Sequence, residues 1–575
     1  MSASPGVAIG RAFTVDRRRI RTPKYHISAE QAEAEIERLE AAIDMSERQL
    51  QDIENRLSRD SDSQEHVLIV RAHRLMLRDE MLVDKARDLI IEEHANAEWA
   101  LRRTVRRIKK SFDLIRDEYF RERRSDIDFV SDRIIRNLMG HIVDLEEAPP
   151  ENSIVVAHDL SPADTIMLSR HSILGIVTDV GARTSHSAIV ARALEIPAVV
   201  GAAGVSEIAG NGDRIIIDGT RGHVVLWPSQ REVRTYRAAR RRYLAHEEEL
   251  LAERDLPAKT KDGHRVQLFG NIEFDKELDS VITHGGDGIG LYRTEFLYVG
   301  RKDLPTEEEH YEVYRRLLDR ADGLPVIIRT FDLGGDKVPI PGRAREPNPA
   351  MGLRAVRFSL NRPDIFKTQL RALLRAGVHG DLRIMFPLIS GPAELEEVKA
   401  CLKEASAELA GQDVPHREDV PVGIMVELPS AAVVADRLAA SCDFFSIGTN
   451  DLIQYALGID RQNRDVAYLY KPSHLAILRL LKTIAEAGKE AGIPVSICGE
   501  MAGDPMNVPL LLAMGLDSFS MNALSIPMVK RIIRAMTLDE CRDLLRRAME
   551  LSSIDEIEKL VRGEMIARFP EELAG

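Results

Sequence analysis

Val422-Gly423-Ile424-Met425-Val426-Glu427 is an apolar run that closes on a carboxylate. Ser446-Ile447-Gly448-Thr449-Asn450-Asp451 repeats that plan, and Ser496-Ile497-Cys498-Gly499-Glu500 repeats it again. Short apolar runs bounded by turn residues predict buried strands. Working outward, candidate strands fall at 266–271, 287–291, 325–329, 381–386, 421–427, 443–447, 494–498 and 517–521, with helical stretches between them. Eight strand–helix units predict a (β/α)8 TIM-type barrel over 257–575. In that fold the polar residues at the C-terminal strand ends build the active site, and the residues of chemical interest sit at those ends.

Upstream the texture changes twice. Ile154-Val155-Val156-Ala157, Ile176-Val177-Thr178, Ala198-Val199-Val200, Arg214-Ile215-Ile216-Ile217 and His223-Val224-Val225-Leu226 alternate with helical stretches. They predict a compact α/β unit over 145–228, joined by a strand from residues 1–20. Between these pieces, Ser28 and Gln31 form a capping-box pattern. Ile36, Leu39, Ile43, Leu50, Ile53 and Leu57 then trace a narrow helical seam. Residues 21–144 therefore read as an inserted all-helical bundle. The charged stretch 229–256, with Arg240-Arg241-Arg242 and Glu247-Glu248-Glu249, reads as a linker helix.

The chain has 575 residues, 44% hydrophobic and 30% charged, values ordinary for a soluble multidomain protein. No apolar run approaches the ~20 residues that span a bilayer, so no membrane insertion is expected. The N-terminus lacks a basic region followed by an apolar stretch, and a cytoplasmic location is expected. Cys401, Cys442, Cys498 and Cys541 form neither a disulfide framework nor a zinc pattern. The net charge of −13 argues against nucleic acid as a partner.

His186 lies in Gly181-Ala182-Arg183-Thr184-Ser185-His186-Ser187-Ala188, where a turn leads into a helix. Backbone N–H groups at such a turn favour an anion, so His186 is a candidate phosphoryl-carrying nucleophile. A structural or surface histidine is the other reading. Arg293, Arg329, Arg354 and Arg461 are candidate anion binders, because guanidinium forks suit phosphate and carboxylate. Asn450 can donate an amide hydrogen to a phosphate oxygen. Glu427 and Asp451, at neighbouring strand ends, can share one Mg²⁺ or can each pair with an arginine. Cys498 can act as a proton donor, or it is a buried core thiol.

Together these runs resemble Enzyme I of the bacterial sugar phosphotransferase system, over nearly the whole chain. The resemblance rests on the mutually ordered stretches 181–192, 290–297, 423–430, 446–455 and 498–504. It implies a helical bundle inserted in a swivelling α/β phosphohistidine domain, followed by the (β/α)8 barrel. It implies that His186 and Cys498 are catalytic, and that Arg293, Arg329, Asn450, Asp451 and Arg461 bind phosphoenolpyruvate. Glu427 and Asp451 would hold Mg²⁺. Residues 21–144 would dock the carrier HPr, with His73 in the docking surface or the bundle packing, and the barrel would form a homodimer. Pyruvate would be the released product. Visible departures are Ala182, Met351 and Leu428, none of which removes a chemical group. The alternatives are a nitrogen-related Enzyme I paralogue, which usually carries an added sensory domain, and a dikinase-like phosphohistidine enzyme, which needs an ATP-binding domain for which this chain leaves no room.

Overall fold

The structure is a computed structural model, and it describes residues 2–15, 23–58, 73–74, 76–113, 127, 130–140, 149–160, 172–181, 188, 191, 195–298, 304–334, 348–461, 463 and 466–573. The chain divides into two compact units, Met1–His246 and Glu247–Tyr298 with Asp303–Gly575. The division falls inside the helix Gln230–Leu251, on the stretch whose charged sequence predicts a solvated helix.

The first unit holds a sheet of strands β1 (Ser2–Ser4), β2 (Val7–Val15), β3 (Ser153–Ala157), β4 (Gly175–Thr178), β5 (Ala198–Val199), β6 (Arg214–Asp218) and β7 (His223–Leu226), in the order β1-β5-β4-β3-β2-β6-β7. β2 pairs in parallel with β3 and antiparallel with β6. The N-terminal segment thus completes a sheet whose remaining strands follow the helical residues. Val155, Ala157 and Ile176 form a core with Ala188 and Ala191. Ile154, Val156, Ile215 and Ile217 pack with Ala8 and Ala12.

The helical part contains Ala32–Ser58, Glu80–Glu93 and Ala97–Asp113. Its apolar seam does what the spacing predicts: Leu39, Ile43 and Leu50 are buried, and Ile36 packs against them. The side chains of Ile53 and Leu57 lie outside the described residues. Gln31 accepts from the Ser28 backbone N–H at 3.0 Å, closing the capping box. His73 is buried in this bundle.

The second unit is a closed barrel of parallel strands: β8 (Gln267–Ile272), β9 (Ile289–Tyr292), β10 (Val326–Arg329), β11 (Leu382–Phe386), β12 (Val422–Val426), β13 (Phe444–Ile447), β14 (Val495–Ile497) and β15 (Ser518–Met521). β15 closes on β8 through four register pairs, Ser518↔Gln267 to Met521↔Gly270. Each lies within a few residues of its sequence expectation, because a strand covered on both sides must be apolar throughout. Leu291, Ile327, Met385, Met425, Phe444 and Cys498 form a separate buried cluster. The other faces pack on the surrounding helices in a much larger core.

Candidate active site at the barrel mouth

The strand ends present the predicted residues at one rim. Arg293 follows β9 directly, Arg329 is the last residue of β10, Glu427 follows β12 and Cys498 follows β14. Asn450 and Asp451 sit in the first turn of the helix Thr449–Leu457, which starts two residues after β13. Arg461 lies beyond that helix. The sequence expectation ended the strands on Glu427 and Cys498; the ladder stops one residue earlier. Both side chains thus belong to the mouth, where the pleat no longer dictates their direction.

An ionic network ties these groups together. Arg329, 4% exposed, bonds Glu295 at 2.7 Å and approaches Asp332 at 3.6 Å. Burial opposes its charge, but Glu295, Asp332 and Glu427 outweigh that and hold its pKa above the ordinary value. Arg293 bonds Glu273 at 2.5 Å. Arg354 is wholly buried, and its guanidinium reaches Asp332, Asp451 at 2.9 Å and the Tyr455 hydroxyl at 3.0 Å. Asp451 also faces Arg461 at 3.6 Å.

Glu427, 2% exposed, accepts from the Leu388 backbone N–H at 2.7 Å. Leu388 has φ +58°, a conformation rarely adopted by a branched side chain. The kink after β11 thereby directs an N–H at the carboxylate. The Cys498 thiol is buried within the influence of Glu427, Arg329 and Arg293. Burial pushes its pKa up to about 11, so it stays protonated at neutral pH. Asn271 donates to the Cys498 carbonyl at 2.8 Å and accepts from Ser520 at 2.6 Å, bracing the end of β14 from β8, with β15 between them. Asn450 accepts from the Glu500 N–H at 3.0 Å.

Some buried donors lack protein partners. Arg329 Nε and Thr449 Oγ1 have no hydrogen bond among the described residues, although a buried polar atom left unpaired is costly. The two carboxylates Glu427 and Asp451 supply only oxygen donors. Among the described residues no group of three His, Cys, Asp or Glu could hold a metal. Two carboxylates fit a Mg²⁺ that takes its remaining ligands from water and substrate oxygens, rather than an all-protein cage.

The structure therefore gathers Arg293, Arg329, Glu427, Asp451 and Cys498 and links Arg461 to them. Arg354 differs from its expected role: its guanidinium is engaged by Asp332 and Asp451, so it positions Asp451. Of the two readings of Asp451, arginine pairing is what the described residues display, with Oδ2 on Arg354 and Oδ1 facing Arg461. Sequence reasoning missed Glu295, Asp332 and Glu273 as the anions that hold the arginines. The only available signal was the acidic residue two or three positions after Arg293 and Arg329. His186, Thr184 and Ser185 lie outside the described residues. Just before them, Asp179 accepts from the Ser206 N–H at 2.9 Å and meets His158 Nδ1 at 3.1 Å. Gly181 has φ +121°, which a side chain would resist.

Comparisons with known proteins match successive parts of the chain to PEP-utilising enzymes: the N-terminal domain over 1–123, the mobile domain over 149–222 and the PEP-binding domain over 247–538. The chain is 43% identical to a phosphoenolpyruvate-protein phosphotransferase of Priestia megaterium, covering 98% of each. It is 42% identical to the protein of that name from Bacillus subtilis (strain 168), again over 98% of each. The protein of that name from Geobacillus stearothermophilus is 41% identical, over 98% of this chain and 97% of the relative.

Proposed function

This chain belongs to the family of PEP-utilising enzymes, and from that premise we propose that it is a phosphoenolpyruvate-protein phosphotransferase that phosphorylates its own His186 and then a histidine of an HPr-type carrier. The observation that carries the reading is the joint placement of Arg293, Arg329, Glu427, Asp451 and Cys498 at one barrel mouth, with Arg329 Nε buried and without a hydrogen-bond partner among the described residues.

Phosphoenolpyruvate brings a carboxylate and a phosphate into this rim of guanidinium groups. Arg293, Arg329 and Arg461 bind and orient it through charge-assisted bonds, and the Asn450 amide donates to a phosphate oxygen. Glu427 and Asp451 would hold Mg²⁺, which when bound supplies charge neutralisation on the transferring phosphoryl oxygens. A neutral His186 nitrogen attacks phosphorus in line. The P–N bond forms as the P–O bond to the enol oxygen breaks, and the electron pair leaves with pyruvate enolate. Cys498 gives its proton to the enolate methylene carbon, yielding pyruvate, and the thiolate regains a proton from solvent. The phosphoryl group on His186 then passes to the carrier.

The same reading includes docking of HPr on residues 21–144, a phosphohistidine domain of 1–20 plus 145–228, a linker at 229–256 and a dimerising barrel at 257–575. It also includes a cytoplasmic location. Among the described residues no helix is long and apolar enough to cross a membrane.

The test is incubation with phosphorus-labelled phosphoenolpyruvate, with and without Mg²⁺, on wild type and His186→Ala. An acid-labile, base-stable label that needs Mg²⁺ and vanishes in the variant is expected. Full labelling of His186→Ala would overturn the assignment of the nucleophile. Absence of pyruvate formation with HPr and Mg²⁺ would overturn the activity.

A further inference from the structure

Ser153, Arg11 and Arg214 stand in one row across three neighbouring strands: Arg11 is in register with Ser153 of β3 and with Arg214 of β6. Residues in register share a face of the sheet. On that face Val7 and Ile216 pack with Val233, and Ile9 and Tyr236 pack against them. Arg237, next on the helix Gln230–Leu251, joins the row at a cavity of about 1170 Å³. Asn152, Asn211 and Glu151 also line it.

Arg11, Arg214 and Arg237 are exposed, and two like charges directly opposite on paired strands repel each other, a repulsion that solvent only partly screens. Arg11 donates to the Gly212 carbonyl at 2.9 Å, a neutral partner. Among the described residues no ion pair joins a carboxylate to Arg11, Arg214 or Arg237, and Glu151 pairs with none of them. Asp213, adjacent to Arg214 in sequence, accepts through one oxygen, Oδ2, from the Gly210 N–H at 2.8 Å and the Trp227 indole N–H at 2.9 Å. A second, independent observation lies beneath the row. Ser153 is 3% exposed, and its hydroxyl has no hydrogen-bond partner among the described residues. Buried hydroxyls are ordinarily satisfied, so this one marks a place for an acceptor.

We propose that this cavity of the first unit binds a small phosphorylated anion, held by the guanidinium groups of Arg11, Arg214 and Arg237 and by the hydroxyl of Ser153. Guanidinium groups match phosphate in charge and in fork geometry. The cavity exceeds what one inorganic phosphate fills and suits a ligand with two anionic groups. Its residues all belong to the first unit, and the inference does not depend on the reading of the barrel mouth.

The probe is inorganic pyrophosphate, titrated into the full chain carrying Arg329→Gln to weaken the barrel mouth and Trp99→Phe to leave Trp227 as the only indole. Trp227, bonded through its backbone to Arg214, reports by fluorescence. Saturable quenching is expected. The double change Arg11→Gln with Arg214→Gln should weaken it by about tenfold or more, and Ser153→Ala by about threefold, from loss of charged and neutral hydrogen bonds respectively. Arg237→Gln, on the exposed side of a helix, provides a variant with little bearing on the sheet and should also weaken binding. No saturable change, an affinity unmoved by the arginine substitutions, or binding of an acidic peptide in place of pyrophosphate would each overturn the proposal.

Discussion

Arg354 and Asp332 are both wholly buried and face each other in a bidentate pair, Nε to Oδ1 at 3.1 Å and Nη2 to Oδ2 at 2.8 Å. The same guanidinium reaches Asp451 at 2.9 Å. One cation thereby neutralises two buried carboxylates, one of which belongs to the proposed Mg²⁺ site. Its charge is held well above the ordinary range because, although burial disfavours it, Asp332 and Asp451 outweigh that.

Removal of Arg354 should therefore destabilise the barrel and disturb Asp451 together. Arg354→Met removes the closer-bound cation from both buried carboxylates, leaving Arg329 and Arg461 each 3.6 Å away, a loss of about 3–5 kcal/mol for a broken buried pair. Calorimetric unfolding should show this, and Asp332→Asn should cost less when combined with Arg354→Met than when added to the wild type. Wild-type stability in Arg354→Met would contradict the account.

Cys498→Ala should slow pyruvate formation by about 10²–10⁴-fold, the usual reach of a positioned general acid. Transfer from already phosphorylated protein to HPr should be unaffected, because that step needs no enolate protonation. Single-turnover assays of the two halves separate the effects. Equal slowing of both halves would mark Cys498 as structural.

Gly499 leaves no room for a side chain. A Cβ there would lie 1.7 Å from Thr449 Oγ1 and 2.9 Å from Thr449 N. Gly499→Ala must displace the first turn of the helix that carries Asn450 and Asp451. A misplacement of about 1 Å can cost about 100-fold in rate, so kcat/KM for phosphoenolpyruvate should fall by that order. Unaltered kinetics would show that the turn does not position the ligand groups.

Glu277 accepts from the Glu273 and Phe274 N–H groups at 2.7 and 2.9 Å, beside the Arg293–Glu273 pair. Burial, with Glu273's charge, pushes its pKa up to about 7 from 4.5. The folded protein thus holds a proton that the unfolded chain releases between these values. Its contribution to stability is complete below pH 4.5 and is lost as pH rises through about 7. Glu277→Gln should remove that dependence, seen as a smaller stability difference between pH 5 and pH 7.5 in urea unfolding. An unchanged pH profile would refute the assignment.

The barrel was legible because a parallel strand covered on both faces must be apolar along its length, and the segments ending in Glu427, Asp451 and Cys498 carry that signature locally. The helical seam through Leu39, Ile43 and Leu50 was legible for the same reason, with a helical period. Residue type also pointed to chemistry: arginines for anions, two carboxylates for a hard cation, a thiol at a strand end. All of this is information held within a few consecutive residues.

Partnership was not held there. That Arg354 turns to Asp332 and Asp451, that Asn271 braces the Cys498 carbonyl across the closure of β15 on β8, and that Arg11 stands in register with both Ser153 and Arg214 are facts of long-range register. The sequence by itself determined which segments become strands and helices and which chemical groups their ends carry. Only the tertiary structure decided which charges neutralise each other and which remain for a ligand, because a buried ion takes whichever counter-charge the closed chain brings within a few ångströms.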